Sequence, residues 1–177
     1  MSARHSAAPI DKPLHKRQVA TKPKPRTRKI LAAVDNSERT NRVVEYLMTL
    51  STSDEPLEIV ILNTQPEPED WRLRGYEFFK RHEIHDRLIN DLGKPVVASV
   101  GRKLDRVGIA HKDRVELGEP VQTIIRCAKE EGCDVVVVGA PRRGKFRQWL
   151  ARRMGLVFGS VAAQLVQLAE TPVLIVR

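Results

Sequence analysis

Apolar residues in this chain fall in short unbroken runs, separated by stretches where they recur every three or four positions. Ile30–Val34 is five apolar residues in a row, the pattern of a strand buried on both faces. Asp35 follows at its carboxyl end. Asp35–Glu38 reads as a helix start, an acidic cap with Glu three residues on, and Val44, Leu47 and Met48 then repeat at helical spacing. Leu57–Thr64 reads as a second strand, ended by the Pro/acid loop "QPEPED". From Trp71 to about Val107 the pattern is less regular. "YEFFKRHEIHDRLIND" predicts a helix, Gly93 and Pro95 break it, and "VVASVGRKLDRVG" resumes. "IAHKDRVEL" alternates Ile109, Val115 and Leu117 with polar residues, as an edge strand does. "GEPVQTIIRCAKEEG" predicts a helix with Pro120 in its first turn, Val121, Ile124, Ile125 and Ala128 on one face, and Gly132 as its C-cap. "CDVVVVG" is the clearest strand. Val161, Leu165 and Leu168 mark a last helix, and "TPVLIVR" a closing strand.

The order is therefore β-α-β-α-β-α-β-loop-α-β. Alternating elements with all-apolar strands imply an α/β fold, a doubly wound parallel sheet with right-handed crossovers. Such sheets bind ligands beyond the carboxyl ends of their strands, where the strand order reverses. Two strand ends carry residues suited to holding a ligand, Asp35 after the first strand and Gly139 after the fourth.

Charge refines this picture. The net charge is +9, but residues 1–29 hold nine Lys/Arg against one acid, Asp11. The other 148 residues hold 22 basic against 21 acidic side chains. Residues 1–28, with four prolines among Lys, Arg, Ser and Thr, read as a disordered basic tail that buries too little apolar surface to offset chain entropy. Residues 29–177 form the α/β domain, and 141–158 are a basic insert within it. Arg142–Arg153 carries six bases and no acid. Phe146, Trp149, Leu150, Met154 and Val157 of the insert fall close to one helical face. Packing of that face on the domain is the simpler reading, docking on an acidic partner or membrane surface the sharper one. Residues 1–29 offer an arm for nucleic acid or anionic membrane, although the tail lacks interleaved aromatics. Cys127 and Cys133 have neither disulfide nor metal spacing, which fits reduced thiols in the cytosol. His82 and His85 lie three apart without a third ligand. No secretory signal, no membrane-length apolar run and no triad, paired-carboxylate or nucleophile-elbow pattern is present.

Three stretches, "ILAAVDNSERTNRVVEYLMTLS", "GEPVQTIIRCAKEEGCDVVVVGA" and "FGSVAAQLVQLAETPVLIVR", together resemble the universal stress protein family. The resemblance spans about Lys29 to Arg177 and is weak between Pro66 and Val107. It implies a five-stranded parallel sheet ordered 3-2-1-4-5, Rossmann-like, and a homodimer that pairs the last strand, here Val173–Val176. It also implies a cytoplasmic stress-response protein with ATP or another adenine nucleotide bound where strands 1 and 4 meet. Any metal would be Mg accompanying that nucleotide, and any catalysis at most slow ATP hydrolysis. By resemblance, Ala33 and Thr64 wall the base pocket, Asp35 contacts the adenosine part, and Gly139, Gly159, Ser160 and Val161 form the phosphate cradle. Arg142 stands where the family places its second glycine, Gly144 comes two residues late, and the loop from Gly139 to Gly159 is seven residues longer than the family pattern. An arginine there disfavours positive φ but can bind phosphate through its side chain. Two other readings stay open: a dimeric regulator of the same fold without a nucleotide, and a binder of anionic surfaces through tail and insert.

Overall fold

Strand β1, Arg28–Ala33, buries Ile30, Leu31 and Ala32 almost completely, because both faces of the sheet are covered. The computed structural model describes residues 27–50, 56–67, 78–140 and 161–177. Residues 1–26 of the predicted tail and the insert 141–158, together with Arg142, Gly159 and Ser160, lie outside those residues; Arg28, assigned to the tail, is instead the first residue of β1. After β1 come α1 (Glu38–Leu50), β2 (Leu57–Gln65) and α2 (Phe78–Arg87). A π-helical turn (Leu88–Gly93), α3 (Lys94–Asp105), β3 (Ala110–Leu117) and α4 (Pro120–Glu130) follow, then β4 (Val135–Gly139), α5 (Val161–Leu168) and β5 (Val173–Val176).

The sheet has the order β3-β2-β1-β4-β5, all pairs parallel. Successive side chains of a strand point to opposite faces, so β1, β2, β4 and β5 each supply two cores. Ile30, Ala32, Ile59 and Ile61 pack on one face with Val43, Val44 and Leu47 of α1 and Val97, Val100 and Leu104 of α3. Leu31, Leu62 and Val136 pack on the other with Ile124 and Cys127 of α4 and Leu165 of α5. Burying each of the Val, Leu and Ile side chains among these stabilises the fold by roughly 1.5–3 kcal/mol, before chain entropy is counted.

Local chemistry sets the helix ends. Pro120 stands at the start of α4 where no N–H partner is needed, and the Glu119 carboxylate accepts hydrogen bonds from the N–H groups of Val121 and Gln122. Gly132 takes a positive φ of 63°, as a C-cap glycine does. Two expectations are corrected. Gly93 and Pro95 do not break the helix: the chain stays helical from Phe78 to Asp105. Pro95 has no N–H and its ring crowds the preceding turn. The widened turn accommodates it, with the Lys94 N–H donating to Ile89 five residues back. Asp35 is also not the cap of α1. Ser37 immediately precedes the helix, and its hydroxyl oxygen accepts the Arg39 N–H at 3.3 Å.

Candidate functional site

The order of strand addition reverses between β1 and β4, and the chain is tied down firmly there. The Val34 N–H donates to the Leu62 carbonyl at 2.9 Å. The buried Asn63 side-chain amide donates to the Val34 carbonyl at 2.8 Å, and Gln65 in turn donates to Asn63 at 2.7 Å. These bonds fix the residue that follows β1. The Asp35 N–H donates to the Thr40 hydroxyl oxygen at 2.9 Å, and that hydroxyl donates to the Asp35 carbonyl at 2.7 Å. The Asp35 carboxylate accepts a short hydrogen bond from the Ser37 hydroxyl and a second, at 2.6 Å, from the Arg39 guanidinium. Arg39 Nε also donates to the Ser37 hydroxyl oxygen at 3.1 Å.

The end of β4 meets this loop directly. A Cβ placed on Gly139 would lie 2.7 Å from the Arg39 Cβ and 3.0 Å from the Arg39 carbonyl oxygen, so the first turn of α1 rests on this glycine. One residue on, the Ala140 carbonyl accepts a hydrogen bond from Arg42 Nη2 at 2.6 Å, and the Ala140 N–H donates to Val176. Two arginines of α1 thus flank the point where the chain leaves β4.

A cleft of about 200 Å³ opens over these strand ends. Five of the sequence-predicted residues line it together: Ala33, Asp35, Thr64, Gly139 and Val161. Pattern reading missed several others. Leu62, Ile124 and Val138 form apolar walls, and Thr40 and Arg39 add polar atoms beside Asp35. The apolar wall residues were identifiable only as core. Arg39 carried no signal, because one arginine on an amphipathic helix reads as a solvated residue. Asp35 and Arg39 are the two charged residues on the described lining. A cleft with apolar walls and a few convergent polar groups at one end suits a flat, partly apolar ligand with a polar or charged substituent.

A second cleft, of about 420 Å³, lies on the other side of the Asp35–Thr40 loop. On its described lining, Asp35, Glu38 and Asp91 stand against a single cation, Lys103. Among the described residues no group of three or more acidic, His or Cys side chains is arranged to hold a metal, and no helix is long and apolar enough to cross a membrane.

A family model described as the universal stress protein family matches residues 26–177. The universal stress protein YxiE of Bacillus subtilis is 28% identical over 154 residues, spanning 84% of this chain and 98% of its own. Among solved structures, MJ0577 of Methanocaldococcus jannaschii superposes with a TM-score of 0.63 at 23% identity, covering 84% of this chain and 94% of its own. A universal stress protein family member from Arabidopsis thaliana, solved with AMP bound, gives a TM-score of 0.55 at 20% identity, covering 84% and 90%. Two further universal stress proteins at TM-scores of 0.55 and 0.53 are solved with cAMP and with dAMP. Likenesses at these identities speak to the fold: a five-stranded parallel α/β sheet of Rossmann type.

Proposed function

Since the chain belongs to the universal stress protein family, we propose that it is a cytoplasmic stress-response protein that binds an adenine nucleotide in the cleft between β1 and β4. One observation carries the reading. Ala33, Asp35, Thr64, Gly139 and Val161, drawn from four separate parts of the chain, line one cleft at the reversal of strand order. The apolar walls fit a purine ring, and Asp35, Thr40 and Thr64 offer partners to ring and ribose. The first residue of α5, Val161, borders the same cleft, so the positive end of that helix faces the ligand's phosphate side. Solved relatives with AMP, cAMP or dAMP support an adenine nucleotide as the ligand class. ATP, accompanied by Mg, is the member of that class we favour, with hydrolysis at most slow. The same reading includes a second copy of the chain paired along β5.

A dimeric regulator of the same fold without a nucleotide is the second reading. It is favoured by Gly139, whose lack of a side chain is accounted for by the seat it gives α1. One measurement separates the two: the melting temperature of the full chain during titration with ATP, ADP and AMP. A ligand of the native state stabilises it by about 2.7 kcal/mol at a hundredfold excess over Kd. A rising melting temperature is the expected result. No shift at millimolar concentrations of all three overturns the nucleotide reading.

A further inference from the structure

Arg39 is the only cation on the described lining of the cleft between β1 and β4. It is also held in place. Nη2 donates to Asp35 and Nε to Ser37, while Nη1, with two N–H groups, has no partner among the described residues. The side chain stays 40% exposed. An exposed ion pair of this kind contributes little to stability, about 0–1 kcal/mol at most. Its consequence is positional: a long side chain that would otherwise sample many rotamers presents its outer edge in one direction. Ordering it beforehand removes much of the cost a ligand would otherwise meet on binding. The backbone adds to the placement. Gly139 lets the first turn of α1 sit against the end of β4, with the Arg39 Cβ 2.7 Å from where a Cβ on Gly139 would stand. The neighbouring cleft, with three acids against one lysine, is unsuited to an anion.

We infer that Arg39 is a phosphate-binding residue of this cleft and Asp35 its positioning residue, so that the site selects phosphorylated nucleosides over the free nucleoside. The inference rests on the nucleotide reading above. Asp35 holds Ser37 through Oδ1 and Arg39 through Oδ2, and its charge is balanced by that guanidinium. The phosphate is recognised by the directed N–H groups of Nη1, which carry part of the guanidinium's positive charge. Such charge-assisted hydrogen bonds are stronger than neutral ones.

Calorimetric titration of the full chain with AMP and with adenosine, at low and at moderate salt, tests this. The native chain is expected to bind AMP at least about tenfold tighter than adenosine, the worth of one charge-assisted contact. Only the AMP affinity is expected to fall with salt. Arg39→Gln is expected to remove the difference, leaving adenosine binding within about twofold of the native value, and Arg39→Lys to restore part of it. Equal loss of AMP and adenosine affinity in Arg39→Gln, or unchanged AMP affinity, overturns the role of Arg39 and leaves the nucleotide reading standing. Failure of the native chain to bind either ligand overturns both. The melting temperature of each variant shows whether the fold is intact, and the salt dependence of the native chain is read without any variant.

Discussion

A Cβ on Gly139 would come within 2.7 Å of one atom of Arg39 and 3.0 Å of another, and the second is backbone. Backbone of a helix turn cannot swing aside as the tip of a side chain can. Gly139→Ala is therefore expected to destabilise the fold by about 1–3 kcal/mol, as overpacking does, even with no ligand present. Chemical denaturation of the free protein measures this, and a midpoint equal to that of the native chain would show that α1 yields at little cost. The sequence marks this position as special but not the reason. A glycine after a buried strand looks the same whether it admits phosphate or helix. Asp35 was similarly half legible. Its place after β1 could be read directly, whereas its bonds to Ser37 and Arg39 depend on the turn that starts α1 at Glu38.

At the scale of elements, β3 is fastened to α4 by charge. Arg114 donates to Glu116, to Glu130 at 3.0 Å and to Glu131 at 2.9 Å; Arg126 donates to Glu116 at 3.0 Å and to Glu130 at 2.8 Å; and Lys112 reaches Glu131 at 2.8 Å. Burial pushes the Glu116 carboxyl up, but hydrogen bonds from Arg114 and Arg126 outweigh it and hold it below the ordinary carboxylate range. Bonds from Arg126 and Arg114 lower Glu130. Lys112 lowers Glu131, against some burial and with help from Arg114. A carboxylate lowered on folding binds fewer protons in the native than in the unfolded chain. The stability it brings is present above the unfolded range and is lost as pH falls through the lowered value. The melting temperature is therefore expected to drop as pH falls below about 5, and less steeply in Arg114→Met. Parallel curves for the two proteins would assign the acid sensitivity to other carboxylates. The alternating pattern of β3 already marked an edge strand, and its charges suit an edge that must not pair further. The helical passage through Gly93 and Pro95 was not legible. Local rules make both residues breakers, and the π-turn depends on tertiary contact: a Cβ on Gly93 would lie 2.2 Å from Val115 of β3.

Across the whole molecule, the periodicity of apolar residues was sufficient for the alternation of strands and helices, because strands covered on both faces leave unbroken apolar runs. Strand order was not contained in that pattern; it followed from the family resemblance and from where a doubly wound sheet must reverse. The two edges of the sheet differ in a way that bears on assembly. β3 is charged, whereas β5 reads Val-Leu-Ile-Val and pairs only with β4 among the described residues. Ile175 is exposed on β5, with Val161, Val166 and Leu168 exposed on α5, the helix that precedes it. An open apolar edge invites pairing with another strand, and pairing with its own copy about a two-fold axis closes it without leaving a further edge. On the proposed reading the protein is a dimer through this edge, with a solution mass twice the 20.0 kDa of the chain. Ile175→Lys places a charge in the contact while Val173, Leu174 and Val176 keep their packing on the core. It is expected to give a folded monomer in light scattering, with circular dichroism close to that of the native chain. A native chain that stays monomeric at about 100 μM, some hundredfold above a micromolar Kd, would leave the edge to another partner. A dimer unaffected by Ile175→Lys would place the contact elsewhere on the surface.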